Sequence, residues 1–598
     1  MRSSLQNIRK PQISVRRLLL YSPRSFIFVI GRRLGKNVDS ETATKVANYK
    51  SKLTKLIGEL RDGILLNIQY GVQQTETRED LRLGFLACAS NVGLNRAKCL
   101  DGTRAEILNE IVDWINNTDT CVPPIFWLHG QAGKGKSAIA HTIALYARNL
   151  GILGSYFCFT RVRQREGLHT KLFPTIARDL ADRDLRLRPL LAKVIKDPSL
   201  GNTSDVSKQW YKFIVEPLSQ LQGSLTGNVV IVIDALDESG AKATRASILK
   251  ALTENDGKPP ANIRILLTSR PLIDFHQALN VPHHVYTRSL DDFDTELTIS
   301  DIRLYVSYRL RGGNFSDEDL RRLAAKSNGV FEWARLACDF ISHRVRATAK
   351  QRMEEILSQA LGNGGTLLDE MYTTFLKEFV PGSSEMSVMF QSVMRQILWS
   401  MEPLSISTLD FMRDKFPQVD DRRPVGGTLR MMAPLLSGTD EISTPICPLH
   451  ASFYDFLLDE ERSREFSIQQ GDVHRDLAFA SLSVMSTCLC FNICGLATSS
   501  VPNAEIADLH RKVKENIPPY LLYACRFWAT HLQEAEFEVE LAKLVCQFIT
   551  GEQILFWLEA LGVSKLIREA YWALISAEKW FQVRYSVVSL KVVISMTK

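Results

Sequence analysis

The chain has 598 residues, which at roughly 150 residues per domain predicts three to five structural units. With 45% hydrophobic and 23% charged residues, and the apolar ones spread along the sequence, its composition is unlike that of disordered, collagen-like or membrane-embedded chains. The net charge of +7 is small for this length, and its basic excess lies at the start.

Between Met1 and Asn37 stand nine basic residues (Arg2, Arg9, Lys10, Arg16, Arg17, Arg24, Arg32, Arg33, Lys36) and no acid. An Arg- and Ser-rich segment without acids is compatible with a mitochondrial presequence, but such a run is more often a solvated tail, and residues 1–38 are read as one. The apolar stretches 18–20 and 26–30 are separated by Pro23 and Arg24, and neither approaches the roughly 18 residues that cross a bilayer. No transmembrane segment or secretory signal is expected. Eleven cysteines, an odd number without paired spacing, imply reduced thiols and a cytoplasmic location. Cys488, Cys490 and Cys494 would need a fourth ligand to hold zinc, and the intervening Leu489, Phe491 and Ile493 read instead as core packing.

Residues 39–98 form an N-terminal helical unit, in which Leu53, Ile57, Leu60 and Ile64 recur at helical spacing. Thr103-Arg104-Ala105-Glu106 has the pattern of a capping box, and Ile107, Ile111 and Trp114 supply the buried stripe of the helix it opens. From about residue 123, short apolar runs at 125–128, 156–159, 229–233 and 265–268 are separated by helical stretches. That alternation is the signature of a parallel sheet with crossover helices, and the lack of alternation within each run suits strands covered on both faces. Beyond residue 290 helical patterns such as Leu320, Leu323, Ala324 dominate, and 384–460 mixes helices with short β-like pieces around Pro445. The tail from about 470 is helical, with Phe527, Trp528, Phe556, Trp557, Trp572 and Trp580 read as core.

Gly130-Gln131-Ala132-Gly133-Lys134-Gly135-Lys136-Ser137 matches the phosphate-binding loop G-x-x-x-x-G-K-[ST] in full. Its glycines let successive backbone N–H groups face phosphate oxygens, and the helix that starts with Ser137 and Ala138 adds its positive end. Lys136 is expected to reach the β- and γ-phosphates and Ser137 to ligate Mg²⁺. The run 229–233 ends in Asp234, a carboxylate placed where parallel sheets bind ligands, and it completes the expected Mg²⁺ shell. Asp237 and Glu238 follow as candidates to orient or deprotonate an attacking water. Arg270, in Ser269-Arg270-Pro271, is the candidate γ-phosphate sensor. His141, on the helix after the loop, is read as packing.

These elements, with Gly102-Thr103-Arg104 upstream, Asp234-Ala235-Leu236-Asp237-Glu238 and Leu267-Thr268-Ser269-Arg270-Pro271, resemble the NACHT NTPases of fungi, of the STAND class of signalling ATPases. Gly329-Val330-Phe331-Glu332-Trp333-Ala334 resembles the family's helical segment. Glu402-Pro403-Leu404-Ser405-Ile406 and Leu449-His450-Ala451-Ser452-Phe453-Tyr454-Asp455-Phe456-Leu457 resemble its winged-helix region. The resemblance implies a plan of nucleotide-binding domain (99–290), helical domain (291–380), winged-helix-like domain (381–465) and C-terminal helical region (466–598). The fold class is thus an α/β P-loop core, a parallel sheet with flanking helices, followed by helical and winged-helix domains and an all-α C-terminal region. It further implies a slow NTPase acting as a switch, resting with ADP and opened by ATP, in a pathway of immune or self/non-self recognition. Partners implied are a homo-oligomer on activation and a sensor or effector protein. Family members commonly carry C-terminal repeats and an N-terminal effector module, neither of which is recognisable here. In related proteins a winged-helix histidine touches the β-phosphate of ADP, and His450 is the candidate, the competing reading being a histidine satisfied locally.

ATP and GTP are not distinguished by these motifs. The alternatives are a scaffold that binds nucleotide without hydrolysing it and a P-loop kinase or helicase. Against a kinase, no acceptor-binding motif is present; against a helicase, there is no second motor core or basic stripe interleaved with aromatics, and no nucleic acid is expected as partner.

Overall fold

A computed structural model describes residues 97–596, apart from 120, 162–167, 196, 198–202, 222–226, 255–259, 261, 282, 343–347, 359–365, 381–383, 419–421, 499–500, 502 and 507. The basic tail and the helix predicted around Leu53, Ile57, Leu60 and Ile64 lie outside the described residues.

The first helix, α1 (Ala105–Asn116), buries Ile107, Ile111 and Trp114 as its spacing requires. The predicted capping box does not form. Arg104, in left-handed conformation at φ 58°, takes the N-cap position without a side-chain cap, while the Thr103 hydroxyl donates to Leu100 O. The Thr103 N–H also bonds Leu100 O (2.9 Å), so a local turn takes both groups that the box would have used, while the Arg104 N–H donates to Asp301, nearly two hundred residues away (2.9 Å).

Five parallel strands follow: β1 (Ile125–His129), β2 (Leu153–Cys158), β3 (Val229–Asp234), β4 (Ile263–Ser269) and β5 (Val285–Ser289), in the spatial order β2-β3-β4-β1-β5. β1, β3 and β4 are buried along their whole length, which explains their unbroken apolar sequences. β5 escapes prediction because Val-Tyr-Thr-Arg-Ser is an edge strand whose middle residues face water. Flanking helices include α2 (Lys136–Asn149), α3 (Leu168–Arg183) and α4 (Lys242–Thr253). The register sets Leu128 beside Thr268, Ile233 beside Leu267 and Cys158 beside Asp234, so the carboxyl ends of β1 to β4 form one ledge.

The buried apolar residues fall into two clusters, one around the sheet from Cys99 to Leu290 and one running from Ile302 to Trp580. Site-bearing elements of the second cluster are α5 (Thr295–Arg309), α6 (Phe331–Ser342), α7 (Leu367–Phe379), α8 (Ser384–Trp399), α9 (Ile406–Arg413) and α10 (Gly426–Met431). A two-stranded antiparallel piece follows, β6 (Leu436–Ser437) with β7 (Cys447–Pro448), then α11 (Ala451–Leu458).

Of the aromatics assigned to the core of the C-terminal half, Trp528, Trp557 and Trp580 are buried, and Trp528 meets Trp557 edge to face at 6.1 Å. Two expectations fail: Trp572 is 67% exposed and Phe491, between the cysteines, is 79% exposed. For Trp572, helical spacing alone does not say which turn of a helix is covered, and Phe491 lies in a turn beyond the helix that ends at Cys488. Among the described residues no single helix is long and apolar enough to cross a membrane.

Ile231 lies fully buried in β3, an interior strand of the sheet. Ile231→Ala is expected to cost about 2–5 kcal/mol, measured by chemical denaturation of the unfolding transition that reports the sheet; a change within error would contradict the packing described.

Candidate nucleotide-binding site

The loop between β1 and α2 is shaped by its glycines. Gly133 and Gly135 have φ of +79° and +95°, a region that side chains disfavour. At Gly133 space also matters: a Cβ there would stand 2.8 Å from Val330 Cγ1. That contact arises because the segment before α6 is pressed onto the loop, with Glu332 N–H donating to Gly133 O (3.1 Å). The motif around Gly329 thus braces the phosphate loop from behind. Gly135 caps α2 without any side-chain cap, leaving the helix's positive end to a ligand.

Lys136 folds its ammonium back onto Gly130 O (2.7 Å) and Gln131 O (2.9 Å). Gln131 N–H donates to Asp291, and the Lys134 ammonium lies 3.9 Å from the same carboxylate, beside Gly329. Of the loop side chains, that of Ser137 bonds Asp234 at the end of β3, and that of Lys136 lies within the electrostatic reach of Asp237 and Asp234. Ala132 contributes backbone, and Ala138 packs against the sheet core. Burial pushes the Lys136 ammonium down to about 8, against the pull of Asp237 and with Arg270 adding to the depression.

Asp234 is fully buried at the end of β3. Its Oδ1 accepts from Thr268 Oγ1 (2.5 Å) and Ser137 Oγ (3.1 Å), and its Oδ2 accepts from the Cys158 thiol (3.2 Å). Ser137 and Asp234 therefore meet, as two ligands of one cation must. Ala235 follows in left-handed conformation (φ 56°), held by its N–H on Thr268 Oγ1 (2.9 Å). A non-glycine residue there stores strain of about 1–3 kcal/mol. The turn it makes directs Asp237 and Glu238 onto the ledge.

Both of these acids are already engaged. Asp237 accepts from Arg270 N–H (3.2 Å) and forms an ion pair with Arg270 Nε (3.1 Å), while Glu238 accepts from Arg161 N–H (3.0 Å). Arg270 reaches further, donating from Nη1 to Asp455 of α11 (2.7 Å), and Arg161 Nη2 lies 3.0 Å from the other oxygen of that carboxylate. Burial opposes the Arg270 charge, but Asp455 and Asp237 outweigh it and raise its pKa.

His450, at the N-cap of α11, accepts the Ser452 N–H at Nδ1 (3.2 Å), with the Ser452 hydroxyl 2.5 Å from the same atom. Tyr372 of α7 bonds that hydroxyl at 2.8 Å. This network places the ring proton on Nε2. Burial, with Lys136, Arg335 and Arg270 nearby, pushes His450 down to about 4 despite Glu332, so the ring is neutral at physiological pH. The local-capping reading is thus realised at Nδ1, and Nε2–H is the remaining donor. His141 packs against Tyr156 at 5.6 Å, as expected.

Arg161, Asp455, Thr268 and Cys158 were not singled out from sequence, and neither was Arg104, whose guanidinium donates to Lys134 O (2.8 Å) and covers the Phe331 ring. Arg104, Thr268 and Asp455 all stand within the motifs that carry the family resemblance, Asp455 five residues after His450. Arg161 carried no signal beyond its place just after a predicted strand.

The open helix end, the glycine cradle and the paired Ser137 and Asp234 fit a nucleotide phosphate with Mg²⁺. Among the described residues no group of three metal-ligating side chains occurs. A hydroxyl and one carboxylate suit a cation whose other ligands are phosphate oxygens and water.

The family described as nephrocystin 3, N-terminal, matches residues 102–270, which span α1 to the end of β4 and every site residue except those of the second half. No curated protein matches the chain. Among solved structures, a Drosophila ORC bound to poly(dA/dT) DNA and Cdc6 aligns at 11% identity over 90% of this chain and 79% of that chain, with a TM-score of 0.21. So low a score carries no information on function. The parallel sheet with the glycine loop at the end of β1 and an aspartate at the end of β3 defines a P-loop NTPase core.

Phosphate favours the charged form of Lys136, so binding above its depressed pKa requires proton uptake. Nucleotide affinity is expected to fall as pH rises through about 8, by at most about tenfold per pH unit. Fluorescent-nucleotide titrations across that range check it, and a flat profile would contradict it.

Proposed function

We propose that this chain is a nucleotide-controlled switch of the NACHT type, binding ADP or ATP (or GTP) with Mg²⁺ and hydrolysing the triphosphate slowly. The observation that carries this reading is the reach of α11 across to the nucleotide ledge: the ion pair of Arg270 with Asp455 joins β4 to an element nearly two hundred residues later. A metabolic P-loop enzyme has no need to fasten its second half onto its own site, whereas a switch does. An isolated Ser405 to Pro445 bridge, which ties the start of α9 to the segment between β6 and β7, supports the winged-helix reading of 381–465. The further divisions at 291–380 and 466–598 are part of the same proposal, as are a cytoplasmic location, a homo-oligomer of opened chains and a sensor or effector protein as partner.

In this scheme the loop amides, Lys136 and Arg270 bind the phosphates, and bound Mg²⁺ neutralises charge between them. Ser137 and Asp234 hold the cation, while Glu238 is the base that positions water after leaving the Arg161 N–H. His450 presents Nε2–H toward the diphosphate. Reversing a two-state population from 1:99 to 99:1 needs about 5.5 kcal/mol of differential binding. One charge-assisted hydrogen bond contributes about 1.5–3 kcal/mol. No single residue therefore runs the switch, and the contacts of α11 must change together.

The engagement of both Asp237 and Glu238 favours one alternative, a scaffold that binds nucleotide without turnover. Lys136→Ala is expected to abolish binding in a fluorescent-nucleotide titration, unchanged affinity overturning the site. Glu238→Gln is expected to retain binding and slow steady-state hydrolysis about 10²-fold or more. Wild-type hydrolysis at or below the Lys136→Ala background would instead support the scaffold, and equal turnover in Glu238→Gln and wild type would remove Glu238 from the mechanism.

A further inference from the structure

The turn after β5 bears on the start of the phosphate loop. Leu290 N–H donates to His129 O (2.8 Å), and a Cβ on Gly130 would stand 3.0 Å from Leu290 Cβ. Ser289 Oγ accepts the Asp291 N–H (3.1 Å), a turn that brings the Asp291 carboxylate to the loop. There its Oδ2 accepts the Gln131 N–H (3.2 Å), and its Oδ1 lies 3.9 Å from the Lys134 ammonium. One carboxylate thus meets the loop on both sides of Gly133. The two loop lysines differ in their partners: Lys136 donates to carbonyl oxygens, whereas Lys134 faces an acid. The Asp291 side chain is 34% exposed, so solvent screens its charge in part. Its field still reaches Lys136, where burial depresses the ammonium and Asp291 is among the acids opposing that depression.

We propose that Asp291 is a positioning residue that also limits the hold of the loop on nucleotide: it orders the loop through the Gln131 N–H and cancels the charge of Lys134. This inference rests on the nucleotide site proposed above. A neutral amide oxygen could accept the Gln131 N–H, so the hydrogen bond does not require the charge. The charge has its own effect, because a fixed anion beside a polyphosphate repels it and, by pairing with Lys134, offsets one of the loop's two lysines. The repulsion grows with the charge of the ligand, and a triphosphate with Mg²⁺ carries one more negative charge than a diphosphate with Mg²⁺. Asp291 therefore lowers the affinity for triphosphate more than that for diphosphate. A loop that is ordered in advance, yet binds below its full electrostatic strength, lets nucleotide dissociate as a switch requires.

Calorimetric titrations of ADP and of the non-hydrolysable analogue β,γ-imido-ATP, each with Mg²⁺, test this in wild type, Asp291→Asn and Asp291→Ala. Asparagine keeps the acceptor and removes the charge, so Asp291→Asn is expected to bind imido-ATP about fivefold tighter than wild type, and ADP tighter by a smaller factor. That gain should shrink as salt is raised. Alanine lacks both, so comparing the two variants isolates the acceptor: Asp291→Ala is expected to bind both nucleotides about threefold to tenfold more weakly than Asp291→Asn. Hydrogen exchange of the Gln131 amide without nucleotide is a second readout, expected to be faster in Asp291→Ala than in wild type or Asp291→Asn. Affinities in Asp291→Asn no tighter than in wild type would overturn the limiting role, and equal amide exchange in all three chains would overturn the positioning role. Failure of wild type to bind either nucleotide would overturn the nucleotide site and the limiting role together, with the exchange measurement still deciding the positioning role.

Discussion

The site depends on a buried carboxylate at the end of the sheet. Asp234 has no solvent to stabilise its charge, and isolated in the interior such an ion would cost several kcal/mol. Three donors on three other elements compensate: Thr268 on β4, Cys158 on β2 and Ser137 on α2. The same bonds fix the relative positions of those elements, so the carboxylate both needs the ledge and holds it together. Ser137 and Asp234 are the residues that would hold a Mg²⁺ ion, whose charge would add to these donors in compensating the buried carboxylate.

Among the described residues, the second half of the chain meets this ledge both behind and in front of the phosphate loop. Behind the phosphate loop, Val330 and Glu332 close on Gly133, where any side chain would collide. In front of it, α11 brings His450 and Asp455 to the face occupied by Lys136, Arg270 and Arg161. The loop is thus braced on one side by a packing contact and on the other by ion pairs. Packing is insensitive to the ligand's charge, whereas ion pairs respond to it directly, so the front face is the one suited to move.

Much of this was legible in the sequence, for definable reasons. Strands buried on both faces must be apolar throughout, so β1, β3 and β4 announce themselves, and a phosphate loop has few sequence solutions. β5 was invisible because an edge strand tolerates Tyr286, Thr287 and Arg288. The capping box at Thr103 failed because its hydroxyl and N–H both turn back to Leu100 O, a competing turn that the four-residue pattern does not register. Left-handed Ala235 likewise has no signature, since alanine rarely adopts that conformation; only Thr268 on the neighbouring strand explains it. The pairing of Asp455 with two arginines joins positions separated by hundreds of residues, which periodicity and spacing do not address. Phe491 and Trp572 show the reverse error, apolar residues assumed covered and found exposed.

The most direct test of the central claim is pulsed electron paramagnetic resonance of Mn²⁺, a spectroscopic substitute for Mg²⁺, added with ADP to the full chain and to Ser137→Ala. The account predicts ³¹P coupling on a protein-bound Mn²⁺ in wild type, with a spectrum distinct from Mn²⁺-ADP in solution and altered or lost in the variant. A wild-type spectrum identical to that of free Mn²⁺-ADP would contradict it.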